Sequence, residues 1–200
     1  MHPELKQYFD GIYADSDDPW HYLNRWYERR KRMLTLAVLQ QPHYRRAIEL
    51  GCANGILSHQ LASRTSRLMC IDGHPRAVKL ARENLQAYSH VEVLQAHIPD
   101  GLPRQEYDLI VISEVAYYLD QAQLEKLLAW ALRYSHARTE ILLCHWKYPI
   151  EGFELNSAYI HQFFAQHPHL HILVQIDDSD FLLTVYSQDA TSVAQQEGLL

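Results

Sequence analysis

The sequence predicts an α/β fold built on one mostly parallel sheet, and three of its features support this class. From residue 44 onward, short apolar runs alternate with amphipathic helical patterns, which is the order that parallel strands and their crossovers require. The last two apolar runs are separated by four polar residues, 177–180, which suffice for a hairpin and leave the final strand antiparallel. A chain of 200 residues that is 48% hydrophobic suits one packed domain with helices on both faces of its sheet.

Each element is then assigned from its own pattern. Seven runs have the apolar content of strands: 46–50, 67–72, 91–95, 107–113, 139–146, 169–176 and 181–187. Six segments have helical periodicity: 3–13, 23–40, 55–64, 74–88, 120–134 and 155–166. We divide the chain into an N-terminal helical lid or extension (1–43), a core (44–188) and a polar tail (189–200) that we expect to fray.

The composition disfavours several classes of function. A formal net charge of −6 argues against nucleic acid and anionic membranes as partners. No apolar run reaches the roughly 18 residues of a membrane span, and the N-terminus does not resemble a signal peptide. The three cysteines lack metal-ligand spacing and suit free thiols in a reducing cytoplasm. The alternating His167, His169 and His171 have no acidic or cysteine partner, so we expect a hydrated strand edge and no metal.

The turn after the first strand, IELGCANG at 48–55, lies at the carboxyl end of that strand, where open α/β sheets bind ligands. A dinucleotide fingerprint requires glycine at positions 51, 53 and 56, and only the first is glycine. The spacing that fits places an acidic residue, two small residues and a glycine at every second position: Glu49, Gly51, Ala53 and Gly55. It resembles the first motif of Rossmann-like S-adenosylmethionine-dependent methyltransferases. We expect Ala53 at negative φ, because a left-handed alanine costs about 1–2 kcal/mol.

Later strand ends are expected to complete the cofactor site. Asp72 ends the second strand, where a carboxylate accepts hydrogen bonds from both ribose hydroxyls; the alternative is a helix cap. Methyltransferases of this class contact adenine after the third strand, often through an Asp, whereas this chain has His97. The expected cofactor contacts are Trp20, Tyr27, Glu49, Gly51, Cys52, Ala53, Gly55, Asp72, Gly73, Ala96, His97, Ile98 and Ser113.

Longer stretches resemble one family within that class. The most specific are DPW…WYERRK and SEV-x-YY; AIELGCANGILSHQLA, YDLIVIS, CHWKYPIEGF and DDSDFLLTVYS accompany them. Over roughly residues 8–187 the chain resembles nodulation protein S and its relatives. The resemblance implies an N-methyltransferase, typified by methylation of the free amine of a deacetylated chitooligosaccharide. Because relatives occur where no nodulation does, the acceptor stays open between an amino sugar, a chitooligosaccharide-like molecule and another small molecule.

Two residues at neighbouring strand ends are the catalytic candidates. Methyl transfer is an in-line displacement, so the enzyme mainly aligns the reactants and excludes water. Glu114 would orient the acceptor; its alternative role is a bond to a backbone amide. His145 would accept the proton of an amine whose ordinary pKa is about 10.4; its alternative role is structural. The expected acceptor contacts are Glu114, Tyr117, Tyr118 and Trp146.

The N-terminal extension carries two further signals. Asp18, Pro19 and Trp20 interrupt two amphipathic stretches with aromatic sequence, so we expect residues 13–31 to form a lid that excludes water. The run RWYERRKR at 25–32 has two interpretations: a solvated helix face, or a cationic patch over a substrate or cofactor carboxylate.

Rival functions differ in what they require. A small-molecule O-methyltransferase would share every cofactor motif and differ in its acceptor pocket. A non-catalytic binding protein would not need Glu49, Gly51 and Asp72 together, and an NAD-dependent enzyme needs glycines that are absent. The sequence leaves open whether the protein is a monomer or a homodimer.

Overall fold

The computed structural model describes residues 3–200, so the first two residues of the expected extension lie outside it. Seven strands form one sheet: β1 (Ala47–Leu50), β2 (Leu68–Asp72), β3 (Val91–Gln95), β4 (Tyr107–Ser113), β5 (Ser135–Trp146), β6 (His171–Asp177) and β7 (Phe181–Ser187). Their order is β3-β2-β1-β4-β5-β7-β6. Strand β7 is antiparallel to both β5 and β6, and the other neighbours are parallel. The predicted fold class, including the antiparallel last strand, is confirmed.

Six of the described α-helices lie within the predicted segments and are shorter than those segments, and a seventh lies in the tail, where no helix was predicted. They are α1 (Pro3–Ile12), α2 (Trp26–Ala37), α3 (Ile56–Ala62), α4 (Pro75–Leu85), α5 (Gln121–Arg133), α6 (Ser157–Ala165) and α7 (Val193–Gln196). Caps fix some of these ends: Asp120 accepts from the Gln123 N–H at 2.7 Å at the start of α5. The tail 189–200 contains the short helix α7, and Gln41 Nε2 donates to Gln196 Oε1 at 3.0 Å. Fraying of this tail stays a prediction.

The sheet is buried on both faces, which explains why its central strands have continuous apolar sequences. All residues of β1 are buried, and along β4 successive side chains alternate between two packed layers. Leu109 and Val111 pack in the layer that contains residues of α3 and α4. Ile110 and Ile112 pack in the layer that contains residues of α5 and α6. Polar chemistry is therefore concentrated near the strand ends.

The N-terminal segment 3–37 lies across the carboxyl ends of the strands. Tyr13 stacks on His74 with ring centroids 4.9 Å apart, and Arg30 Nη2 lies 2.6 Å from Asp178 in the β6–β7 turn. These contacts join the N-terminal segment to the loop after β2 and to the β6–β7 turn. None of the described helices is long and apolar enough to cross a membrane. Among residues 3–200, no group of histidine, cysteine, aspartate and glutamate has the arrangement of a metal site.

Candidate cofactor and acceptor site

A cavity of about 1320 Å³ lies between the carboxyl ends of the strands and the N-terminal segment. This is the edge at which open α/β sheets bind ligands. Every predicted cofactor contact except Gly55 lines it, together with the predicted acceptor contacts Glu114, Tyr117, Tyr118 and Trp146. Gly55 is the N-cap residue of α3 with φ 81°, and a Cβ there would meet Leu85 at 3.1 Å. The absence of a side chain at Gly55 therefore allows α3 and α4 to pack closely. The catalytic candidate His145 does not line the cavity either.

The turn after β1 approaches the turn after β4 very closely. Gly51 has φ 77°, and a Cβ there would come within 2.8 Å of the Val115 Cβ. The expectation of a negative φ at Ala53 is wrong, since its φ is 48°. The physical reason is a hydrogen bond of 2.9 Å from the Ala53 N–H to Oδ2 of Asp72, which is made in the left-handed conformation. The strain of about 1–2 kcal/mol is offset by this bond and by the fit of the turn.

Two carboxylates beneath the turn have unusual environments. Asp72 Oδ1 accepts from the His74 N–H at 2.8 Å, and His74 is itself the N-cap residue of α4, so Asp72 is not the cap. Burial raises the pKa of Asp72, while the N–H groups of His74 and Ala53 oppose this rise. Burial raises the pKa of Glu49 to about 8, although a hydrogen bond from Ser58 Oγ stabilises its charged form.

Glu114 is held by groups from three elements. It follows β4 with φ 56°, and its Oε1 accepts from Lys31 Nζ of α2 at 2.8 Å. Its Oε2 accepts from the Trp146 N–H at 3.1 Å and from the Tyr117 hydroxyl. Burial alone would lower the pKa of Lys31, but Glu114 and Glu28 together raise it well above its usual range. The predicted bond to a backbone amide is therefore present, and the carboxylate also lines the cavity.

His145 is placed behind the wall of the cavity. It is completely buried, and its Nε2 accepts from the Ala116 N–H at 3.3 Å while its Nδ1 meets His161 Nε2 at 3.1 Å. Burial, reinforced by the charge of Lys31, lowers its pKa to about 3. Strands β4 and β5 are neighbours as expected, yet the two side chains do not reach one crevice. Both ring nitrogens have partners and the ring does not line the cavity, so this geometry does not favour His145 as the base that accepts the acceptor's proton.

Apart from Tyr27, the sequence analysis did not single out one set of cavity-lining residues that carry buried polar atoms. Several have no hydrogen-bond partner among the described residues: Tyr27 Oη, Glu28 Oε2, Arg32 Nε and Nη1, and Asn54 Oδ1. Glu28, Arg32 and Asn54 are each at most 7% exposed. Leaving such a group unpaired costs about 1–3 kcal/mol, and more when it is charged. The set combines hydrogen-bond donors on a cation with acceptor oxygens, which is complementary to an α-amino acid group.

The sheet order, with an antiparallel strand between β5 and β6, defines the Rossmann-like methyltransferase fold. The family model of nodulation protein S (NodS) matches residues 6–133, and the chain belongs to this family.

Curated relatives have the same name. Nodulation protein S of Sinorhizobium fredii is 36% identical over 107 residues, which are 52% of this chain and 49% of that protein. The Rhizobium tropici protein is 34% identical over 106 residues, or 52% of this chain and 44% of that protein. The match thus spans about half the length of these relatives.

Solved structures agree with the fold. One is the crystal structure of a Pseudomonas syringae protein that is regarded as a methyltransferase. It is 43% identical, with a TM-score of 0.73 over 82% of this chain and 99% of that one. The N-methyltransferase NodS of Bradyrhizobium japonicum, in complex with S-adenosylhomocysteine, is 23% identical. Its TM-score is 0.81 over 91% of this chain and 97% of that one. At that identity the second comparison supports the fold alone.

Proposed function

We propose that the protein is an S-adenosylmethionine-dependent methyltransferase that methylates the amine nitrogen of a small molecule. The observation that carries this proposal is the cavity itself, which is lined both by Asp72 and by residues with unpaired buried polar atoms: Tyr27, Glu28, Arg32 and Asn54. Membership of the NodS family supports it. When bound, the cofactor supplies an electrophilic methyl group on a sulfonium.

The residues present fit that cofactor. Arg32 offers two unpaired N–H groups to a carboxylate, and Glu28 Oε2 with Asn54 Oδ1 offers acceptors to an ammonium group. The Asp72 carboxylate has lone pairs left for hydroxyl groups after accepting two backbone N–H bonds. The close approach at Gly51 leaves no room for a side chain beside the turn.

Glu114 is the residue that we propose orients the acceptor. Its carboxylate lies on the cavity between Tyr117 and Trp146, whose rings offer flat surfaces to a sugar or another apolar ring. The N–H groups of an amine acceptor can donate to this carboxylate, whereas the negative charge of a phenolate would be repelled by it. Because His145 does not reach the cavity, we propose that alignment carries the catalysis and that the neutral amine comes from solution. The amino sugar named by the resemblance is the first acceptor to try.

We also propose that residues 13–31 act as a lid. Tyr13, Trp20 and Tyr22 of this segment line the cavity, and Lys31 ties it to Glu114. Hydrogen exchange with and without S-adenosylhomocysteine tests it: protection of 13–31 is expected on binding, and equal exchange would contradict a lid. Cytoplasmic location and a monomeric or homodimeric state stay proposals as well.

The experiment for the reaction is a screen with S-adenosylmethionine labelled on its methyl group. Amino sugars, deacetylated chitooligosaccharides, simple alkyl amines, phenols and carboxylates would be offered in parallel. Label on amines is the expected result, with a rate that rises with pH as more neutral amine is supplied. Label on hydroxyl or carboxylate acceptors alone would replace the proposal by an O-methyltransferase.

A further inference from the structure

Two backbone N–H groups of the turn that follows β4 donate hydrogen bonds to the end of β5. The Glu114 N–H donates to the Cys144 carbonyl at 2.8 Å, and the Ala116 N–H donates to Nε2 of His145 at 3.3 Å. Glu114 is left-handed within this turn, a conformation that persists in a non-glycine residue when its surroundings enforce it. The location of its carboxylate in the cavity therefore depends on both anchors.

The Ala116 N–H also fixes the tautomer of His145. A backbone N–H is a donor, so Nε2 of His145 must be the unprotonated acceptor and Nδ1 must carry the ring proton. Nδ1 then donates to Nε2 of His161 at 3.1 Å. The proton of His161 must in turn be on its Nδ1, which lies 2.8 Å from Oγ1 of Thr184. The geometry leaves one consistent direction of donation, from His145 through His161 to Thr184.

The surroundings keep this chain of groups in one protonation state. His145, His161 and Thr184 are at most 2% exposed. The titratable groups around His145 are Lys31 of α2, Glu114 and Tyr117 beside the turn, and His161 of α6. Burial, with the charge of Lys31, lowers the pKa of His145 to about 3, and burial with His145 lowers that of His161 to about 2. Both rings are neutral near neutral pH.

We propose that His145, His161 and Thr184 are positioning residues for the acceptor site. They act through the Ala116 N–H on the turn that presents Glu114, and this role rests on the proposed function of Glu114. None of these three side chains lines the cavity, so substituting them removes no direct contact with a ligand. His161 in α6 and Thr184 in β7 thus influence the reaction without lining the cavity, through the hydrogen bonds that hold His145.

A matched pair of variants at position 184 tests the proposal. Thr184→Val keeps the shape of the side chain and removes the acceptor for His161, whereas Thr184→Ser keeps the hydroxyl group. We expect Thr184→Val to lower kcat/KM for the acceptor about 10-fold, since small misplacements of catalytic groups cost up to about 100-fold. Thr184→Ser should stay within about two-fold of the wild type, and both should bind S-adenosylhomocysteine as the wild type does. Wild-type kcat/KM in a folded Thr184→Val protein would overturn the proposal.

A second pair guards against simple misfolding. His161→Gln retains one acceptor and one donor and should recover part of the activity that His161→Phe loses. Nitrogen-15 NMR of the wild-type protein reads the chain without any acceptor: both rings should be Nδ1–H tautomers that do not titrate between about pH 5.5 and 8. An Nε2–H tautomer at either ring, or titration in that range, would refute the chain. If no acceptor is methylated, the proposed function fails, while the NMR measurement still decides whether the hydrogen-bonded chain from His145 to Thr184 exists.

Discussion

Asp72 accepts a hydrogen bond of 2.9 Å from the backbone N–H of Ala53, and this bond joins the turn after β1 to the end of β2. It explains why an alanine occupies a left-handed position that glycine fills more easily. It also means that Asp72 contributes to the shape of the site before any ligand arrives. Two experiments separate these effects.

The first concerns Ala53. Glycine at this position should relieve left-handed strain of about 1–2 kcal/mol, while the more flexible unfolded chain takes back about 0.4–1 kcal/mol. Ala53→Gly should therefore leave the free energy of unfolding unchanged or raise it by about 1 kcal/mol. Denaturant unfolding of the two proteins measures this, with Ala53→Val as the control that should lose stability. A Gly variant less stable than the wild type would show that the alanine methyl group is packed favourably.

The second concerns Asp72. Losing the proposed ribose contacts should weaken S-adenosylhomocysteine binding by about 2–4 kcal/mol, or roughly 30- to 1,000-fold. This range assumes two hydrogen bonds to a charged group, each worth about 1.5–3 kcal/mol, whose contributions do not add fully. Asp72→Ala should show this loss in a calorimetric titration. Asp108→Ala is a matched control, because Asp108 also accepts a backbone N–H bond, from Arg46 at 2.7 Å, and does not line the cavity. Equal dissociation constants for Asp72→Ala and the wild type would remove Asp72 from the cofactor site.

Arg32 offers a test in which affinity and stability change in opposite directions. Its buried guanidinium has unpaired Nε and Nη1 atoms, so Arg32→Leu should preserve or raise the stability of the ligand-free protein. The same variant should bind S-adenosylhomocysteine about 10- to 150-fold more weakly, for the loss of about 1.5–3 kcal/mol in charged hydrogen bonds. Arg29 on the exposed face of α2 supplies the control Arg29→Leu, which should leave affinity unchanged. Thermal unfolding with and without ligand measures both quantities, and unaltered affinity in Arg32→Leu would assign the carboxylate elsewhere.

Glu49 predicts a pH dependence of stability. Burial raises its pKa from 4.5 to about 8, so the folded protein holds a proton that the unfolded chain releases between these values. Stability from this group is present below pH 4.5 and is lost as the pH rises through about 8. Glu49→Gln retains an acceptor for Ser58 and lacks this titration, so its stability relative to the wild type should increase between pH 5 and 8.5. A constant difference between the two proteins over that range would contradict the raised pKa.

The sequence was sufficient for the fold and the family because both depend on patterns along the chain. Apolar runs and the four polar residues before Phe181 predicted the sheet and its antiparallel strand correctly. The φ of Ala53 was beyond such reasoning, because it is determined by Asp72 on another strand. The placement of His145 failed for a related reason: side chains alternate along β5, so adjacency of strand ends does not decide which face a side chain takes.

The inward set on α2 illustrates a signal that was present but ambiguous. Glu28, Lys31, Arg32 and Thr35 are buried and follow helical spacing, while Arg25 and Arg29 are exposed. Because the buried positions are polar or charged, the segment has no apolar periodicity to reveal its inner face. The sequence therefore allowed residues 25–32 to be interpreted as a cationic patch over a carboxylate. It could not identify Arg32 as the residue of this run that would contact the carboxylate.

Titration calorimetry of the purified wild-type chain decides whether the cavity is a cofactor site. S-adenosylmethionine, S-adenosylhomocysteine and NAD would be titrated separately into the same protein preparation. Because the turn after β1 lacks the dinucleotide glycines and the cavity has a buried set for an amino acid group, the first two ligands should bind and NAD should not. Heat from NAD, with none from either sulfur-containing ligand, would contradict the assignment of the cavity and the function built on it.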